Sequence, residues 1–208
     1  MRDASALLVP PELCVLADGA TASYLPGKDG CAVPHFNHQG SNVQSAGALR
    51  NFGQDVKYFE VTIINFNPKG AITIGLGQAP VRGLVAKRRP GLAPRSVGLS
   101  SDGLLFFGSP GKSQRYGQRY GTGDTIGCGY DLKSRDVFFT LNGTRMPANL
   151  ELSRFTSAEA DKCHPTVCLT SPHDTVLLNF TGNFKYGHLS TSLVLSHTEH
   201  LTRACHQS

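Results

Sequence analysis

Thr125-Ile126-Gly127-Cys128-Gly129-Tyr130 is followed, after a short polar break, by Asp136-Val137-Phe138-Phe139-Thr140-Leu141 and then Asn142-Gly143. Ile126, Cys128 and Tyr130 fall on every second position and alternate with Gly127 and Gly129, which is the period of a pleated strand and not of a helix. One face of that strand is apolar; the other is bare backbone, where another chain can pack closely. The second run ends on Asn-Gly, the strongest short hairpin signal, because both turn residues must accept a positive φ. Gly123-Asp124, just ahead, reads as a turn entry with Asp124 placed to cap its own backbone amides.

The same alternation continues outward. Phe59, Val61 and Ile63 alternate with Glu60 and Thr62, and Ile72, Ile74 and Leu76 alternate with Thr73, Gly75 and Gly77. Further strand-like runs are Val97–Ser100, Leu104–Phe107, Thr166–Thr170 and Thr175–Phe180, with Asp102-Gly103 as a second hairpin signal. Eight short strands with turn residues between them predict an all-β, antiparallel sandwich. Residues 50–186 carry it; 1–49 form an N-terminal extension with edge strands expected near Leu13–Leu16, and 187–208 a poorly packed tail.

Composition agrees. Of 208 residues 17 % are charged, below the usual ~25 %, and 23 Gly with 12 Pro exceed the average share of turn formers. Helical bundles and coiled coils are thereby disfavoured. No uncharged apolar stretch approaches the ~18 residues of a helical membrane span, so no membrane partner is expected. Six cysteines without a Cys-x-x-Cys pair, and an N-terminus broken by Pro10-Pro11-Glu12, predict a reduced, intracellular protein: cytoplasmic, with the nucleus as a second compartment. The sequons at Asn142 and Asn179 are then incidental.

Chemistry-bearing motifs mostly fail on inspection. Gly111-Lys112-Ser113 has Phe106 where a phosphate loop needs its first glycine, and a turn-rich Gln-Arg-Tyr-Gly repeat follows instead of a helix. Cys163, His164, Cys168 and His173 lack the paired spacing of a zinc site. No nucleophile elbow occurs and paired carboxylates are scarce, so neither an enzyme nor a cofactor is expected.

Charge is concentrated. The net charge is +5, yet Val61–Gly123 holds nine basic residues and one acid, Asp102. Five of the nine (Arg82, Lys87, Arg88, Arg89, Arg95) lie in a 19-residue loop, Gln78–Ser96, and loops of that length are usually functional. Three readings compete: solvated charge, a surface for acidic peptides, and nucleic-acid binding through the basic loops at 82–95 and 112–119, with Tyr116 and Tyr120 as stacking aromatics. A sugar-binding sandwich would need the same two tyrosines as platforms.

Together, Tyr58-Phe59-Glu60-Val61, Arg89-Pro90-Gly91, Ser96-Val97-Gly98-Leu99-Ser100-Ser101-Asp102-Gly103, Gly123-Asp124-Thr125-Ile126-Gly127-Cys128-Gly129-Tyr130 and Val137-Phe138-Phe139-Thr140-Leu141-Asn142-Gly143 resemble the SPRY domain, most of all its Ran-binding protein M-like branch with the nematode secreted SPRY effectors. The resemblance implies a concanavalin-like two-sheet β-sandwich without catalytic activity. It implies an adaptor or scaffold that binds short peptides through loops at one end of its sheets. Carried over, that surface comprises Pro68 and Lys69 in one turn, Arg82, Lys87, Arg88 and Arg89 in the long loop, and Pro172 and His173 in another turn, with an acidic partner favoured by the basic loop. Where the family usually has Pro-Gly-Trp this chain has Pro90-Gly91-Leu92, and it contains no Trp.

Overall fold

A computed structural model describes residues 55–77, 89–108, 113–147, 162–172, 174–180 and 183–187, together with Gln78 and the backbone of strand segments nearer the N-terminus. Fifteen strands are described: β1 Leu7–Leu8, β2 Leu13–Val15, β3 Thr21–Tyr24, β4 Ser41–Ser45, β5 Asn51–Phe52, β6 Val56–Asn65, β7 Ile72–Gln78, β8 Val97–Ser100, β9 Leu104–Phe107, β10 Ser113–Arg115, β11 Thr125–Asp131, β12 Val137–Leu141, β13 Thr144–Arg145, β14 Cys163–Leu169 and β15 Thr175–Asn179. They form two antiparallel sheets. Sheet A has the order β1-β4-β14-β7-β8-β9-β10, and sheet B the order β13-β12-β11-β6-β15-β3-β2, with β5 paired to the start of β6.

All eight strand-like runs of the sequence appear as strands. The N-terminal segment contributes more than edges, because β4 lies between β1 and β14, and β3 between β15 and β2. The tail beyond 187 lies outside the described residues.

The core is what period-2 burial demands. Phe59, Val61, Ile63, Ile126, Cys128, Tyr130, Val137 and Phe139 from sheet B meet Ile72, Ile74, Leu76, Val97, Leu99, Leu105 and Val167 from sheet A. Each large apolar side chain so buried stabilises the fold by roughly 1.5–3 kcal/mol. Asn142 (φ 51°) and Gly143 (φ 84°) close a two-residue turn between Leu141 and Thr144, as their dipeptide predicts. At Asp102-Gly103 the hairpin forms differently. Only Gly103 has positive φ (83°), and the Asp102 side chain accepts from Leu104 N at 3.2 Å, giving a three-residue connection.

Glu60 departs from the simple alternation. It faces away from the core, yet it is buried. The bare face over Gly127 and Gly129 is filled by neighbouring side chains: a Cβ at either glycine would strike Tyr58, and Thr140 or Phe138. Phe184 and Tyr186, from a helical turn at 185–187, pack on Tyr58 and Phe138. That turn is pinned by Glu60, whose carboxylate accepts from Lys185 N (2.9 Å), Tyr186 N (3.1 Å) and the Tyr58 hydroxyl (3.1 Å). Desolvation raises the Tyr58 phenol well above its ordinary pKa, and the neighbouring Glu60 charge adds to the shift.

Candidate peptide-binding rim

Three turns converge at the end of the sandwich where β6 and β14 finish and β7, β11 and β15 begin. The turn 66–70 owes its shape to Asn67, whose carbonyl accepts from Gly70 N (2.9 Å) and whose side chain accepts from Lys69 N (3.0 Å). Gly70 is required by crowding, because a Cβ there would run into the Ser171 side chain. Asp174, fully buried, joins this turn to the next: one carboxylate oxygen accepts from Asn67 N (2.9 Å) and the other from Ser171 N (3.0 Å). Burial pushes the Asp174 carboxyl above its usual range, and the backbone donors at Asn67, Ser171 and Thr170 partly oppose that shift. The Thr170 hydroxyl adds a second tie, accepting from Ala71 N and donating to Ala71 O.

The third turn, 121–124, attaches through Phe66 N to the Thr122 hydroxyl (3.1 Å). Asp124 caps it as the sequence indicates, accepting from Gly121 N (2.9 Å) and from the Asn142 side-chain amide (2.9 Å). What this framework presents outward is mixed. Pro68 and Lys69 are exposed, Phe66 and Pro172 half-buried, and Ile64, at the end of β6, is 49 % exposed. Ile64 is an exposed apolar residue that alternation alone does not single out, since it follows the inward Ile63.

The structure brings Pro68, Lys69 and Pro172 together and places Arg89 elsewhere. Ser101 N donates to Ile72 O, so the start of β7 marks the rim end, whereas the long basic loop departs from Gln78 at the other end of that strand. Seven residues at ~3.3 Å each separate the two by roughly 20 Å. Arg89 thus lies apart from the turn 66–70, on the outer face of sheet A level with the middle of β7. Arg82, Lys87, Arg88 and His173 lie outside the described residues. Arg89 is no solvated cation: it is 8 % exposed, with its guanidinium 4.4 Å from the Phe106 ring centroid.

Tyr116 and Tyr120 also differ from expectation. Both are buried, Tyr116 edge-on to Phe139 and Tyr120 with its hydroxyl 2.8 Å from the carbonyls of Ile72 and Leu99. Neither ring is available to stack a base or a sugar, which removes the aromatic half of both alternative readings. Gly111-Lys112-Ser113 leads into strand β10 and not into a helix. Among the described residues no cluster of metal-ligating side chains occurs, and no helix is long and apolar enough to cross a membrane.

Two packed antiparallel sheets with ordered connecting turns and a closed core define a β-sandwich of the interaction-domain type. The SPRY domain family model matches residues 56–183, more than half of the chain, and the chain belongs to the SPRY domain family. The dual specificity protein kinase splA of Dictyostelium discoideum is 31 % identical over 142 residues, 68 % of this chain but 5 % of that protein. Ran-binding protein 9 of Xenopus tropicalis is 32 % identical over 170 residues, 76 % of this chain and 28 % of that protein. The chain thus spans under a third of these curated relatives. A crystal structure of a human SPRY domain superimposes with a TM-score of 0.62 at 26 % identity, covering 83 % of this chain and 98 % of that one. SPRY domains are non-catalytic folds that mediate protein–protein interaction.

Proposed function

We propose that this chain is an adaptor whose rim of turns 66–70, 121–124 and 171–174 binds a short peptide segment of a partner protein. The observation that carries this reading is Asp174, which locks two turns from separate parts of the chain into one surface. Pre-organised turns avoid the entropy of ordering loops at the moment of binding, so a small contact area suffices for useful affinity. Ile64 and Pro68 supply apolar contact, and Lys69 an exposed positive charge that favours an acidic segment. Arg82, Lys87 and Arg88 act at longer range, through the field of the basic loop, and speed encounter with acidic partners. A reducing cytoplasmic or nuclear setting suits the buried thiols of Cys128, Cys163 and Cys168.

Selection of binders from a random peptide library, repeated on an Ile64→Asp variant, tests the rim. Peptides enriched on the wild type should lose at least about tenfold in affinity for the variant, the cost of burying an unpaired carboxylate. Equal binding to both proteins would discard the site. For the charge component, Arg82→Glu with Arg88→Glu should slow association several-fold at low salt, and the effect should fade by about 0.5 M.

A further inference from the structure

Of the buried charged side chains among the described residues, Glu60 and Asp174 are each held by backbone N–H groups, whereas Arg89 Nε has no hydrogen-bond acceptor. A buried guanidinium with an N–H left without an acceptor is costly, and stacking on one phenyl ring offsets only part of that cost. The position is nevertheless tightly built. Gly91 (φ 91°) lies against Phe106 where any side chain would clash, and the Pro90 carbonyl lies over Gly98 of β8. Ser96 Oγ accepts from Gly91 N (2.9 Å) and Ala93 N (3.2 Å) and donates to Ala93 O (2.6 Å). Arg89 is therefore fixed on the outer face of sheet A, with 8 % of its surface still open.

Strand β10 borders that place. Ser113 is opposite Phe106, and Arg115 opposite Leu104, so both belong to the same outer face, and both are exposed. No strand lies beyond β10 among the described residues. Two arginines, an exposed hydroxyl and the half-buried Leu104 and Phe106 make a surface complementary to an extended acidic segment. A nucleic acid would want a stacking ring here, and Tyr116 and Tyr120 are buried.

We propose that the outer face of sheet A at its β9–β10 edge is a second docking site, which takes a carboxylate-bearing segment of a partner protein with Arg89 as its anchor. It is separate from the rim, because it lies on the outer face of sheet A at the β9–β10 edge, with Arg89 and Phe106 level with the middle of β7. The chain would then join two segments, of one partner or of two.

Fluorescein-labelled hexaglutamate, titrated into the full chain at about 50 mM salt with anisotropy as readout, tests this. Arg89→Gln should weaken binding at least about tenfold, and the exposed Arg115→Gln about threefold or more, since charge-assisted bidentate contacts are lost. Lys133→Gln removes the same charge from a distant turn and should change affinity less than about twofold. Melting curves show whether Arg89→Gln is folded, and the exposed Arg115→Gln keeps the test valid if it is not. Lys69→Gln removes the exposed charge of the rim and should change hexaglutamate binding less than about twofold, which separates failure of this site from failure of the rim. No binding by the wild type, equal losses in Arg89→Gln and Lys133→Gln, an unaffected Arg115→Gln, or tighter binding of a single-stranded oligonucleotide would each overturn the proposal.

Discussion

The outer faces of the two sheets each bury a charged side chain, and they treat it in opposite ways. On sheet B, Glu60 is enclosed by the chain's own 183–187 segment and accepts three hydrogen bonds. On sheet A, Arg89 is enclosed almost as fully, and its Nε has none among the described residues. Burial by itself therefore does not tell a structural group from a functional one. Whether the hydrogen-bonding capacity of the group has been met does, because an unmet charge lowers stability and is retained only where something else depends on it.

The comparison can be broken by mutation. Glu60→Ala leaves the backbone donors of Lys185 and Tyr186 without their acceptor, while the Tyr58 phenol keeps Thr140 Oγ1 at 2.6 Å, and should cost about 3 kcal/mol in denaturant unfolding. Hydrogen exchange at Lys185 and Tyr186 should speed up in parallel. A loss under about 1 kcal/mol would mean that the 183–187 turn is held by its aromatic rings alone.

Asp174 is intermediate, a buried carboxylate that is satisfied yet strained by desolvation. Its raised folded pKa means that the unfolded chain gives up this proton first. The contribution of the group to stability should thus decline as pH rises from about 4, the ordinary aspartate value, and level off once the raised value is passed. Subtracting the profile of Asp174→Asn, a neutral analogue, isolates this slope. A difference that grew with pH would reverse the assigned shift.

The smallest expected effect is also the sharpest. Arg89→Leu removes a buried cation whose Nε has no acceptor and should leave stability unchanged or raise it by up to about 1 kcal/mol, while hexaglutamate binding falls. Destabilisation as large as that from Glu60→Ala would place Arg89 among the structural groups and erase the distinction between the two faces.

Much of this was legible in the chain. Eight strands, the inward sets on β6, β7 and β11, the Asn142-Gly143 turn and the Asp124 cap follow from local pattern, and the two longest motifs suggest the family. Strand β10 was not legible, since three exposed residues show no alternation and Gln-Arg-Tyr-Gly reads as turns. Of the N-terminal strands, β3 and β4 are short and polar, and their partners β15 and β14 lie more than a hundred residues away. Ile64 escaped notice because its exposure depends on how far neighbouring elements extend over the sheet.

What the sequence alone determined is which side chains share a face of each strand, because a two-residue period is a property of the extended backbone and needs no partner. What only the tertiary structure decided is which of those faces are covered, and by what. Glu60 is buried by a segment about 125 positions later. Tyr116 and Tyr120 turn into the core after a strand that local pattern conceals, and Arg89 settles on the outer face of sheet A against Phe106, away from Pro68 at the rim. Long-range contact sets burial, and burial sets what a charge or a ring is free to do.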